Sequence, residues 1–213
     1  MTPPPLPFRL LAIGDRGQIT AATAREVAEA GGGAVALLLR DRTLDHGEVA
    51  AWARTVVAVC RVAGAWVLVH GWADVARDAG ADGVHLPEGG SIEHAQAVGP
   101  HALVGVSRHG AAGVAQAWEA GASYATLGPV FPSPGKGTPL GLDAFAAVAR
   151  ATPLPLVALG GVRPEHCVAC RAAGAAAVAA IGAVWDGAPG ENVRRLLAAF
   201  APQSVAGPTS TGG

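Results

Sequence analysis

Charge is scarce in this 213-residue chain. Only 15% of its residues are Asp, Glu, Lys or Arg, and the formal net charge is −1. No run of Lys or Arg exists, which excludes a chain that coats nucleic acid. Lys136 is the single lysine among 15 basic residues. Cysteine is scarce as well. Three cysteines are an odd count and too few for a disulfide scaffold, so a reduced, cytoplasmic setting is expected. Long apolar runs are missing. Those at 34–39 and 66–69 fall far short of the roughly 20 residues a membrane span needs. The start MTPPPLP carries no charged n-region and no h-region, so no signal peptide is expected. No Gly-X-Y period appears, despite 30 Gly and 16 Pro, so a collagen-like chain is excluded. A hydrophobic content of 51% excludes disorder.

What is present is a rhythm. Short, continuously apolar runs lie at 8–13, 34–39, 66–70, 83–86, 103–107, 124–127, 156–159 and 177–181. Continuous rather than alternating runs are the mark of parallel strands covered on both faces. Ala-rich segments with helical spacing separate them, at 20–30, 46–63, 72–79, 91–98, 111–120, 142–150, 164–173 and 190–200. Gly beside Ala recurs just before strands, where glycine caps a helix in the left-handed conformation. Eight strands alternating with eight helices predict a single-domain α/β fold, a (β/α)8 TIM barrel over residues 1–201. A doubly wound sheet is the rival, but no G-x-G-x-x-G follows the first strand. Residues 202–213 lack apolar periodicity and read as a flexible C-terminal tail.

Barrel chemistry gathers where strands end. The run at 34–39 leads into Arg40, Asp41 and Arg42. The run at 66–70 ends in His70, Gly71 and Trp72. The fifth run ends in Ser107, with Arg108 and His109 after it. Gly128 to Thr138, GPVFPSPGKGT, follows the sixth and contains Ser133 and Lys136. The last two runs lead to Gly160–Gly161 and Ile181–Gly182. Glycine there lets backbone N–H groups approach a phosphate closely, ahead of a helix N-terminus.

The segments ADGVHL (81–86), GVSRH (105–109), GPVFPSPGK (128–136) and ALGGV (158–162) resemble the thiamine phosphate synthase/TenI superfamily, in order and spacing, over about residues 8–200. The resemblance implies a thiazole phosphate substrate. Its phosphate cradle maps to Gly160, Gly161, Ile181 and Gly182. Ser107, Ser133 and Lys136 map to substrate-binding positions, and Arg40 and Arg42 stand where the synthase has Gln-x-Arg-x-Lys. Two synthase aspartates that hold Mg²⁺ are replaced by Gly71 and Gly90, with Glu88 nearby. The expected activity is therefore a TenI-like thiazole tautomerase of thiamine biosynthesis, with His109 as acid/base and no metal or other cofactor. The alternatives are a divergent, Mg²⁺-dependent thiamine phosphate synthase and a non-catalytic thiazole-phosphate-binding protein.

The chemistry suits these residues. Tautomerisation needs one group that takes and gives a proton near pH 7, which is histidine. Arginine grips a carboxylate in bidentate fashion, and lysine acts as a point charge. His85 is expected to be a hydrogen-bonded structural residue. Cys167 and Cys170 form one C-x-x-C with no second pair, so neither zinc nor redox work is expected of them. Expected partners are a small-molecule thiazole phosphate and, possible for such barrels, a second copy of the chain; neither nucleic acid nor membrane is expected.

Overall fold

A computed structural model describes residues 5–202. Eight strands run in order around a closed barrel: β1 (Leu10–Gly14), β2 (Val35–Leu39), β3 (Trp66–His70), β4 (Gly83–Leu86), β5 (Leu103–Arg108), β6 (Tyr124–Leu127), β7 (Leu156–Leu159) and β8 (Ala177–Ala180). Each pairs in parallel with the next, and β1 pairs with β8 to close the ring. The predicted (β/α)8 barrel is the fold. Of the tail, residues 203–213 lie outside the described residues.

The helices are α1 (Ala21–Gly31), α2 (His46–Ala63), α3 (Ala73–Ala79), α4 (Ile92–Ala95), α5 (Ala111–Glu119), α6 (Leu142–Ala151), α7 (Cys167–Ala172), α8 (Gly182–Trp185) and α9 (Pro189–Phe200). Two differ from the sequence pattern by being short. The segment at 91–98 holds one α turn followed by a 3-10 turn, and the segment at 164–173 begins as a 3-10 turn. Helix α8 was not expected. In the sequence the eighth run ends at 181 and Gly182 reads as part of a glycine-rich loop, yet Gly182 starts a helical turn. Caps fix the longer helices. The side chains of Thr20 and Asp45 each accept the backbone N–H three residues on, and their own backbone N–H groups donate to the side chains of Thr23 and Glu48 in return.

Strand side chains divide between two cores. Leu10, Val35, Leu37, Val67, Val69, Val104 and Val106 point outward and pack beneath the helices with Val27, Val56 and Leu196. The other set points inward: Leu11, Ile13, Ala36, Leu38, Leu68, Tyr124, Val157, Ala177 and Ala179. Phe8 lies among them and meets Tyr124 edge-on, with ring centroids 5.6 Å apart. Away from the cavity rim both faces of the strands are thus covered, which explains the unbroken apolar runs. Gly105 sits beside Tyr124 in the sheet register, and a Cβ there would lie 2.1 Å from the tyrosine ring. Only glycine leaves room for that ring.

Two indoles pin the C-terminal rim of the barrel. Trp185 Nε1–H donates to the Ile13 carbonyl at 2.7 Å, tying α8 to β1. Trp52 Nε1–H donates to the Ile19 carbonyl at 2.8 Å, tying α2 to the β1–α1 loop.

Candidate active site

The strand C-termini surround a cavity of about 1040 Å³. All ten side chains and backbone positions singled out from the sequence line it. Arg40 and Arg42 come from beyond β2, Ser107 and His109 from the end of β5, and Ser133 and Lys136 from the β6–α6 loop. Gly160 and Gly161 follow β7, while Ile181 and Gly182 follow β8. Sequence separations of up to 142 residues collapse because parallel strands all finish on one rim. Trp72 is not part of the lining; it packs edge-on against His46 instead.

One side of the cavity is cationic. The Arg40 guanidinium is half-buried, and burial followed by the charge of Arg42 lowers its pKa. Neither arginine has a carboxylate partner among the described residues. His70 lies close by. Burial first, then Arg40 and Arg42, pushes its pKa down to about 4. At neutral pH His70 is therefore uncharged, and the arginines hold the positive charge. Two unpaired guanidinium groups facing a cavity suit a multiply charged anion.

The opposite side is backbone. Gly160 and Gly161 have φ values of +99° and +65°. A Cβ on Gly160 would lie 2.5 Å from Pro129, and one on Gly161 would lie 2.5 Å from the Pro132 carbonyl. The β6–α6 loop is laid directly over this turn. Val130 N–H donates to the Leu159 carbonyl at 2.8 Å and Phe131 N–H to the Gly160 carbonyl at 3.0 Å. His166 stacks on Phe131 with ring centroids 4.0 Å apart and further braces the loop that carries Ser133 and Lys136.

His109 stands between the two sides. Its Nδ1–H donates to the Gly128 carbonyl at 2.9 Å, since a carbonyl only accepts. In the neutral ring Nε2 is then the free base, 3.5 Å from the Glu88 carboxylate. Both side chains are more than half exposed, at 62% and 59%. This is an imidazole at the cavity wall whose orientation is held through Nδ1.

Sequence reasoning missed several lining residues. Arg108 is buried, with Nη1 donating to the Ser107 carbonyl at 2.7 Å and Nε to the Gly113 carbonyl at 3.0 Å. Thr126 faces inward two residues after Tyr124, a position that period-2 alternation along β6 would have flagged. Asn192 and Arg195 reach the cavity from α9, and no local pattern signals that. His85 is buried and hydrogen-bonded, as expected. The three thiols are buried. Burial first pushes Cys167 up to about 12 and Cys170 to about 11, so neither supplies a thiolate at neutral pH.

The residues do not fit a Mg²⁺ ion of the kind the resembled synthases hold. Mg²⁺ favours carboxylate anchors in octahedral geometry. Gly71 and Gly90 offer none, and Glu88 faces His109. Among the described residues no three His, Cys, Asp or Glu side chains are grouped to hold a metal.

Comparison with known proteins fixes the lineage. The family described as thiamine monophosphate synthase (TMP-TENI) matches residues 10–184. The chain belongs to this family. A putative thiamine-phosphate synthase of Geobacter sulfurreducens is 38% identical over 205 residues, 92% of this chain and 96% of that protein. A thiamine-phosphate synthase of Myxococcus xanthus is 45% identical over 143 residues, 64% of this chain and 66% of that protein. Among solved structures, a thiamine phosphate pyrophosphorylase from Pyrococcus furiosus superposes with a TM-score of 0.81 at 26% identity. The match covers 91% of this chain and 95% of that one. Thiamine biosynthesis is the family's business, and these names favour the synthase over the tautomerase that the sequence put first. No helix among the described residues is long and apolar enough to cross a membrane.

Proposed function

We propose that this protein is a thiamine-phosphate synthase, joining a hydroxymethylpyrimidine pyrophosphate to a thiazole phosphate. The observation that carries the reading is one cavity lined both by Arg40 and Arg42 and by the backbone of Gly160, Gly161 and Gly182, two kinds of group that suit anions. At about 1040 Å³ the cavity stands at the upper end of ordinary small-molecule sites, which suits two substrates better than one. The names of the relatives support the same reading. In the reaction the thiazole nitrogen bonds to the pyrimidine CH₂ as the bond from that carbon to the pyrophosphate oxygen breaks. The electron pair leaves with pyrophosphate. Arg40, Arg42 and Lys136 supply positive charge where it develops. The glycine turns hold the thiazole phosphate in line, and no step is routed through a metal.

The second reading, thiazole tautomerase, rests on His109. An imidazole whose Nδ1–H is tied to Gly128 presents Nε2 as a base, and Glu88 stabilises the imidazolium once Nε2 takes a proton. The replacement of both synthase aspartates by glycine favours it too.

One experiment separates them. The protein is given the two synthase substrates, with and without Mg²⁺, and in parallel the non-aromatic thiazole carboxylate phosphate, followed by proton NMR. Thiamine phosphate formation is the expected result. Faster aromatisation with no condensation product would replace the first reading by the second. Binding of thiazole phosphate with no turnover in either assay would overturn both and leave a binding protein.

A further inference from the structure

A chain of three side chains crosses the barrel interior beneath the cavity. Tyr124 is fully buried, and its hydroxyl lies 2.9 Å from His85 Nδ1. His85 Nε2 lies 3.0 Å from Ser107 Oγ at the cavity wall. We propose that Tyr124 and His85 are positioning residues that occupy one lone pair of Ser107 Oγ and leave its hydroxyl hydrogen for the substrate. This inference rests on the cavity being the substrate site.

The direction of the chain follows from its closed end. Tyr124 is surrounded by Phe8, Gly105 and the inner core. His85 is the one hydrogen-bond partner of its hydroxyl among the described residues. If Nδ1 carried the ring hydrogen, the phenolic hydrogen would have to point into apolar packing, an unpaired buried donor. The phenol therefore donates to Nδ1. His85 faces Arg40, Arg108 and the stacked ring of His70, 6.1 Å away between centroids. Burial first, then those neighbours, pushes its pKa down to about 3, so the ring is neutral with one N–H. That hydrogen sits on Nε2 and goes to Ser107 Oγ. The serine's own hydrogen has no protein acceptor among the described residues and is left for the cavity.

Three neighbouring strands build this device. His85 on β4 is in register with Gly105 on β5, and Gly105 with Tyr124 on β6. Gly105 clears the space that lets the tyrosine hydroxyl reach across to β4. The consequence is selectivity. The substrate atom that matches the Ser107 hydrogen offers a lone pair, as an unprotonated ring nitrogen or a carboxylate or phosphate oxygen does. An N–H or ammonium there is left the one remaining Ser107 lone pair, and the hydroxyl hydrogen goes unpaired.

The test is ¹⁵N NMR of ligand-free protein labelled at its histidine rings, with His85→Gln identifying the signal. Hydrogen on Nε2 at neutral pH is expected; hydrogen on Nδ1 overturns the proposal. Tyr124→Phe keeps the ring packed on Phe8 and removes the hydroxyl. It is expected to turn the His85 signal into a mixture of tautomers. It should also weaken by about 3–10-fold whichever ligand Ser107→Ala weakens, thiazole phosphate or the pyrimidine pyrophosphate. An unchanged signal with unchanged affinity for both ligands overturns the proposal as well. If wild-type protein binds neither ligand, the functional reading fails, while the nitrogen signal still decides the hydrogen placement.

Discussion

His109 is the side chain whose loss distinguishes the two candidate reactions. In a tautomerase it moves the proton, and His109→Ala is expected to cut turnover by about 100-fold or more. In the synthase it touches no bond that breaks, and condensation should fall only modestly; stopped-flow or NMR rates on both substrates check this. Much of the site was legible at this scale. Arg40, Arg42, Ser107 and the glycines stand at or just after the ends of apolar runs, and Lys136 in the loop that follows one, so naming the strand ends and their loops named the lining. The His109–Glu88 and His85–Ser107 contacts were not legible. Each joins residues about 20 positions apart on different strands, and only the register of the sheet brings them together. His70 and His85 also tie stability to pH. Their folded pKa values, about 4 and about 3, lie below the ordinary 6.5. Below pH 6.5 the unfolded chain takes up protons that the folded protein refuses, so stability falls as pH drops from about 6.5 toward 4 and is level above 7. The melting temperature should trace that curve, and His70→Asn should make its acid limb shallower.

At the scale of elements, the turn after β7 and the loop after β6 behave as one unit. Gly161 takes φ +65° with the Pro132 carbonyl against it. Gly161→Ala is expected to push the Ser133–Lys136 loop off its seat and weaken thiazole phosphate binding about tenfold or more, measured by calorimetry. Gly105→Ala acts differently. It overpacks Tyr124 and should cost about 1–3 kcal/mol or more in denaturant unfolding. The strands were readable because both their faces are covered away from the cavity rim, which writes them as unbroken apolar runs. Short helices were harder. Gly182–Trp185 is one turn long, so nothing in GAVW separates it from a loop. The segment at 91–98 has helical spacing but bends into a 3-10 turn after four residues, a change of hydrogen bonding that spacing does not reveal.

At the scale of the whole molecule, the barrel exists only when its two ends meet. β1 joins β8, Trp185 reaches back to Ile13, and α9 packs on α1. A chain ended before α9 would uncover the side of α1 that α9 packs on, and should lose its cooperative unfolding transition in circular dichroism. The join has a consequence during synthesis. Until β8 emerges from the ribosome, the first strand has one edge without a neighbour, and each newly made strand leaves another behind it. An open parallel edge is a template for pairing with a second nascent chain. The growing polypeptide must hold two sticky margins apart for nearly its whole length, so slow translation without chaperones should send it into aggregates that the finished, edgeless ring never forms.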